Sequence, residues 1–324
     1  MADWYRLVAL LFFTTNYTFD DFTNDSLYRF EFGYAVLNYL SKSVIDSYTI
    51  FLFIMSCIII GLKYKSVKGI AVYPLLTLLV DFCDFNGNLF PVRQNLSYAL
   101  TLYSTKYIIR RELFKFLITI SIAASFHMSA WLFIPAYYLY NIKINCRVIF
   151  IFFIIILGVI FGDILFGIKI SDYFFQNLMG VEGRMAEKAM NYQNELLYDS
   201  SAMPSIYGNL RIAILGVLLF YCRKKYIRNS LHGYYDGFFV LWLVGTIVRI
   251  IFSDVSQTLA GRLTFYYTMF EIFLIPMIIM FSDKLYYRIL CWFVFAVYFG
   301  VKYYAGFMAL PDVFIPYKSI FDFS

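Results

Sequence analysis

Residues 44–62 read V-I-D-S-Y-T-I-F-L-F-I-M-S-C-I-I-I-G-L, and Lys63, Lys65 and Lys68 follow. A run of that length with so little charge reads as a transmembrane helix, because lipid offers the backbone no hydrogen-bond partner and each segment must satisfy itself. Comparable runs recur near 67–85, 91–109, 147–168, 208–225, 236–256, 262–282 and 286–305. The pattern predicts an all-α, polytopic integral membrane protein with about eight full transmembrane helices, forming a single membrane domain over 1–324. Apolar residues make up 61% of the chain and aromatics 22%. That aromatic share suits membrane interfaces and helix contacts rather than a soluble core.

Orientation follows from lysine and arginine in short loops. Lys63, Lys65 and Lys68 read as one cytoplasmic turn, and Arg110, Arg111 and Lys115 as a second. Arg223, Lys224, Lys225 and Arg228 form the strongest cluster, and Lys284 and Arg288 the last. These anchors agree only if the block 112–140 is a short helical hairpin that returns to the cytoplasm, with its apex near Ser125–His127. Each arm is then roughly 18 Å long, short of a core of about 30 Å. The same parity puts the N-terminal segment 1–43 outside, and leads us to expect a first helix missing ahead of it. It also makes 169–207 a large external, periplasmic loop, in which Glu182–Glu195 could form an amphipathic helix lying on the membrane.

The net charge of +6 is modest and sits in loops, so it reads as topology and excludes a nucleic-acid partner. The five cysteines show no C-x-x-C spacing and read as small hydrophobes. With only two histidines and no D-x-D, no metal site and no cofactor are expected.

Against this apolar background the ionisable groups at membrane depth are candidates for function. Arg93 and Gln94 stand just after Pro91, at the outer N-terminus of span 91–109, where helix N–H groups and a guanidinium fork suit a phosphate. The plain alternative is an arginine reaching to headgroups. His127 lies at the hairpin apex, where a neutral imidazole can accept a proton; it could equally be a structural hydrogen-bonded histidine. Arg249 is deep in span 236–256 with Asp254 five residues on, close enough to pair loosely. Arg262 opens span 262–282, and Arg211 opens span 208–225. All four arginines fall at or near the outer face, against the positive-inside bias, so each needs a compensating anion. A diphosphate would serve, and so would nearby Asp or Glu.

The segments E-F-G-Y-A-V-L-N at 31–38, V-R-Q-N-L-S-Y-A-L at 92–100, A-A-S-F-H-M-S-A at 123–130 and G-R-L-T-F-Y-Y at 261–267 resemble the EpsG family of Wzy-type bacterial polysaccharide polymerases. The order and spacing fit over nearly the whole chain, and D-W-Y at 3–5 resembles the end of a motif that follows a first helix. The resemblance implies a metal-independent glycosyltransferase of GT-C-like architecture in the bacterial inner membrane, its active site facing the periplasm. Such an enzyme moves a glycan from undecaprenyl diphosphate to a sugar hydroxyl of another lipid-linked repeat unit, beside a chain-length regulator. Carried over by position, Arg93, His127 and Arg262 are the catalytic residues. Gln94, Arg211, Arg249, Asp254 and Tyr266 are substrate-binding candidates, Tyr266 by stacking on sugar. Glu31, Asp84 and Asp254 are alternative bases. The competing readings are an O-antigen ligase-type transferase, whose acceptor would be a lipid A core, and a lipid-linked oligosaccharide flippase. The lack of an internal repeat and the one-sided arginines favour an enzyme over a transporter.

Overall fold

The computed structural model describes residues 31–44, 47–83, 92–144, 206–226, 232–252, 257–281 and 283–308. Regular structure among them is all helical, with no strand. Helices α1 (Phe32–Val44), α2 (Tyr48–Ile70), α3 (Pro74–Cys83), α4 (Val92–Ile109) and α5 (Leu113–Phe126) come first. A 3₁₀ segment (Met128–Phe133) and the short α6 (Ala136–Leu139) follow. Then come α7 (Ile206–Tyr226), α8 (His232–Phe252), α9 (Gln257–Thr268), α10 (Glu271–Ile279) and α11 (Leu285–Met308). The expected span at 147–168, the loop at 169–207 and residues 1–30 lie outside the described residues.

Among the described residues, Ile50–Ile70 and Tyr234–Phe252 are long and apolar enough to cross a membrane. Ala260–Thr268 and Glu271–Ile279 qualify together as one broken span, bent by 53°. The other expected spans here have helical counterparts, but α3 has only ten residues. That gives about 15 Å of rise against a core of about 30 Å. Rows of exposed Phe, Ile, Val and Tyr on α7 and α11 suit contact with lipid.

One expectation is corrected outright. Lys63, Lys65 and Lys68 are not a turn, because α2 runs unbroken to Ile70 and the chain turns only at 71–73, ahead of Pro74. Gly61 and Gly69 lie within the helix without interrupting it, and the next proline is Pro74, so the helix carries the lysines on. Lys63 is buried and pairs with Asp81 of α3 at 3.0 Å. Tyr98 donates to the same carboxylate at 3.3 Å and lies under the ammonium, 4.8 Å from nitrogen to ring centre.

The chain divides into two compact units, Met1–Tyr107 with Phe114–Met128 and Ile275–Ser324, and Ile108–Leu113 with Ser129–Leu274. In the first, Tyr34, Phe51, Met55 and Leu96 form a core, with Tyr34 and Phe51 edge to face at 6.2 Å. Helix α4 is an interior helix despite its polarity: Asn95, Ser97, Thr101, Ser104 and Thr105 are all buried. Its hydroxyls return to their own helix, as in Thr101 to the Ser97 carbonyl at 2.9 Å, so burial leaves little polarity unmet. In the second unit, Phe238 stacks on Phe270 and Phe273 at 5.3 and 4.9 Å. Helices α8 and α9 touch where Gly245 faces Tyr267; a Cβ there would lie 2.7 Å from the Tyr267 Cβ.

Helix α5 ends where His127 stands, and its amide donates back to the Ala123 carbonyl at 3.0 Å. The helix in the block 112–140 therefore ends at Phe126, within the stretch Ser125–His127.

Candidate functional site

Glu31 opens α1. Its carbonyl accepts the amides of Tyr34 and Ala35 at 3.0 and 3.1 Å, which makes it the cap residue of that helix. Its side chain is thereby turned off the helix axis rather than committed to a helical face. At the other side of the site, α5 delivers His127 as the first residue past its last turn. The two helix ends can meet because position 33 is glycine. A Cβ there would collide with the Ser125 hydroxyl and lie 2.9 Å from the Ser125 carbonyl oxygen. Helix α4, starting at Val92, brings Arg93 in its first turn.

The three segments converge on one carboxylate. Glu31 Oε1 lies 3.1 Å from His127 Nδ1, and Arg93 Nη1 donates to Glu31 Oε2 at 2.8 Å. All three side chains are about one-fifth exposed, sheltered but reachable. Arg93 also lies over the Tyr34 ring, 5.6 Å from its centre. Glu31 lies outside the candidate spans. Burial alone would raise its carboxyl, but the His127 hydrogen bond, the Arg93 charge and its own backbone N–H outweigh that and hold it down to about 2, from an ordinary 4.5. At neutral pH Glu31 is a carboxylate with both oxygens engaged, which suits an anchor better than a proton acceptor. Beside the cluster runs an open apolar groove of about 420 Å³, its near end formed by Phe32, Gly33, Ser125 and Phe126.

The other candidates fall as follows. Gln94 neighbours Arg93 on α4 and is half-buried. Arg211, Arg249, Arg262 and Tyr266 all belong to the second unit. Arg211 pairs with buried Glu271 at 3.2 Å, and Trp242 donates to the same carboxylate at 2.9 Å. Glu271 begins α10, at the bend of the broken span, where a helix N-terminus favours a carboxylate. Arg249 lies in the last turn of α8, and Arg262 is half-buried in α9. Tyr266 is fully buried, its hydroxyl 3.1 Å from Ser129 Oγ, and Tyr267 donates to the Leu132 carbonyl at 2.8 Å. The tyrosine pair thus ties the G-R-L-T-F-Y-Y segment to the stretch that follows His127. Asp254 and Asp84 lie outside the described residues. Arg223, read as part of a cytoplasmic cluster, is itself paired with Asp236 at 2.8 Å and donates to the Ile144 carbonyl. No group of three or more potential metal ligands occurs among the described residues.

The residue underrated by sequence reasoning is Glu31, named there only as an alternative base. Two signals pointed to it: the acid two residues before a glycine at a helix start, and an arginine at position 93 in need of an anion.

A helical membrane protein whose sheltered polar cluster joins a histidine, an arginine and a carboxylate has the groups for acid–base work next to an anion. The EpsG family profile matches residues 3–319, and the chain belongs to that family. Membership makes it a membrane protein with a glycosyltransferase-type role in polysaccharide polymerisation. No curated protein and no solved structure matches it.

Proposed function

We propose that the protein is a polysaccharide polymerase that transfers a glycan from undecaprenyl diphosphate to a sugar hydroxyl of a second lipid-linked repeat unit. The observation that carries the reading is the meeting of three family segments at Glu31, Arg93 and His127. In the proposed step the acceptor hydroxyl gives its proton to His127 as its oxygen attacks the anomeric carbon. The bond from that carbon to the diphosphate oxygen breaks, and undecaprenyl diphosphate leaves with the electron pair. Arginine neutralises the charge growing on the leaving group without a metal. Arg93 and Arg262 take this role by their motif positions. Gln94, Arg249 and Asp254 are proposed to bind substrate. Arg211 and Tyr266 remain candidates for that role, and their engagement with Glu271 and Ser129 favours positioning. The groove beside the cluster suits the hydrocarbon of a lipid-linked donor.

The finer architecture belongs to the same reading: about eight crossings, a hairpin turning at His127, a GT-C-like arrangement, external 1–43 and 169–207, and an inner-membrane enzyme working on the periplasmic side beside a chain-length regulator. An O-antigen ligase-type transferase would share the donor and differ in its acceptor.

The test is complementation of a polymerase-null strain, read as a ladder of surface polysaccharide on a gel. The wild-type chain should restore the ladder. His127→Ala should abolish it at an unchanged level of membrane protein, and His127→Gln should keep at most a trace. A fully expressed Ala variant that still makes long chains would remove His127 from the site.

A further inference from the structure

The carboxylate between His127 and Arg93 has a role of its own. We propose that Glu31 is a positioning residue that fixes the His127 proton on Nδ1, turns Nε2 toward the acceptor hydroxyl, and braces Arg93 with its second oxygen. The proposal rests on the polymerase reading above and deepens it.

The geometry favours this tautomer. A carboxylate can only accept, so the ring nitrogen 3.1 Å from Glu31 Oε1 is the one that carries hydrogen. In neutral imidazole the other nitrogen then holds the lone pair, and that nitrogen alone can take a proton from substrate. Glu31 is held ionised at neutral pH, so the acceptor role is available throughout the working range. Its second oxygen is occupied by Arg93 at 2.8 Å, which prevents the carboxylate from rotating away from the imidazole. The Glu31 backbone is fixed as the cap of α1, and the His127 backbone is fixed at the end of α5. Gly33 sets the distance between them. The carboxylate that orients a catalytic imidazole in hydrolytic triads works by the same logic on unrelated folds.

Glutamine at position 31 keeps the shape but cannot do both jobs. Its single carbonyl oxygen accepts from His127 or from Arg93, and its amide presents a donor to whichever is left. The experiment labels histidine with ¹⁵N in detergent-purified protein. The sequence has only two histidines, so the His232→Asn variant assigns the signals. Spectra near pH 8.5, above the ordinary imidazole range, report the tautomer directly. Wild type should show hydrogen on Nδ1 of His127. Glu31→Gln should show a mixture, and should lose roughly 100-fold in kcat with KM changed by less than about threefold. Glu31→Asp, which can still accept from the imidazole, should recover part of both signals.

Any other wild-type spectrum overturns the proposal. So does a Glu31→Gln variant in which the tautomer moves without the rate, or the rate falls without the tautomer, or neither changes. The tautomer is measured without substrate. Failure of the polymerase reading, seen as an absent ladder in the wild-type complementation, is therefore distinguishable from failure of the positioning role.

Discussion

Replacing Gly33 by alanine tests the close approach that builds the site. The added Cβ would sit 2.9 Å from the Ser125 carbonyl oxygen and 3.0 Å from its Cβ, with the hydroxyl nearer still. The hydroxyl could rotate, at the cost of its 2.7 Å bond to the Ile122 carbonyl. The carbonyl oxygen cannot move without moving the end of α5. Ordinary contact starts near 3.4 Å, so the ends of α1 and α5 must part by about 0.5 Å. Glu31 is two residues before the glycine and His127 two after the serine. The same displacement carries their 3.1 Å contact to about 3.6 Å, where it is no longer a hydrogen bond. Arg93, with its long side chain, can follow Glu31. Overpacking should cost about 1–3 kcal/mol, offset by up to about 1 kcal/mol of helix propensity. The variant should therefore be expressed and inserted, with thermal stability slightly lowered. It should lose roughly 10–100-fold in polymerisation rate. The assay is the polysaccharide ladder with a parallel measurement of protein level, followed by the ¹⁵N tautomer of His127. Ser125→Gly in the same background removes two of the three collisions and should restore part of the rate. A Gly33→Ala variant with a normal ladder and the wild-type tautomer would refute the reasoning.

Arg93→Lys and Arg262→Lys should each lose most activity at unchanged expression, because lysine keeps the charge and gives up the planar fork; normal ladders from both would leave these arginines structural only. Lys63→Met should destabilise the purified protein by about 3–5 kcal/mol, since Asp81 would stay buried without its cation, and the double variant with Asp81→Leu should recover most of that; an unfolding midpoint unmoved by the single change would contradict the buried pair. The pH dependence has a definite sign. The folded Glu31 carboxyl is depressed to about 2 from an ordinary 4.5, so its contribution to stability is complete above about pH 4.5 and is lost as pH falls toward 2. The stability difference between wild type and Glu31→Gln should then shrink as pH falls from about 4.5 toward 2, and a difference that grows across that window would reverse the assignment.

Much of the fold was legible because lipid restricts the choice. Long apolar runs must be helices, and most helices stand where the runs predicted them, within a few residues. Charge misled as a boundary marker at Lys63, which lies inside α2, whereas α4 and α7 end beside their basic clusters, at Ile109 and Tyr226. Lys63 and Arg223 look alike in sequence to loop lysines and arginines, yet each is folded inward onto an acid, 18 and 13 residues away. A one-dimensional reading assigns such charges to water because it cannot see the partner. Arg93 and His127 were picked out by their depth and motif, and their meeting through Glu31 was not. That contact spans 62 and 96 residues and depends on the absence of a single side chain at position 33. The end of α5 at Phe126 falls within the stretch Ser125–His127, where the block 112–140 was expected to break. The bend before Glu271 was not legible, since Pro276 lies within α10, beyond the bend, and no breaker residue stands at the bend itself.

The Lys63–Asp81 pair has a consequence for biogenesis. A lone lysine or aspartate within a nascent span is costly on insertion into the bilayer, by up to about 2.5–3.5 kcal/mol where it reaches the middle. Helix α2 presented by itself would carry the cation and α3 the anion, and α3 is too short to anchor on its own. Entering side by side, the two segments cancel each other's charge, and Tyr98 of α4 closes over the pair. The insertion machinery therefore has reason to hold α2 until Asp81 has been made, so that the first partition into lipid is that of a joined hairpin.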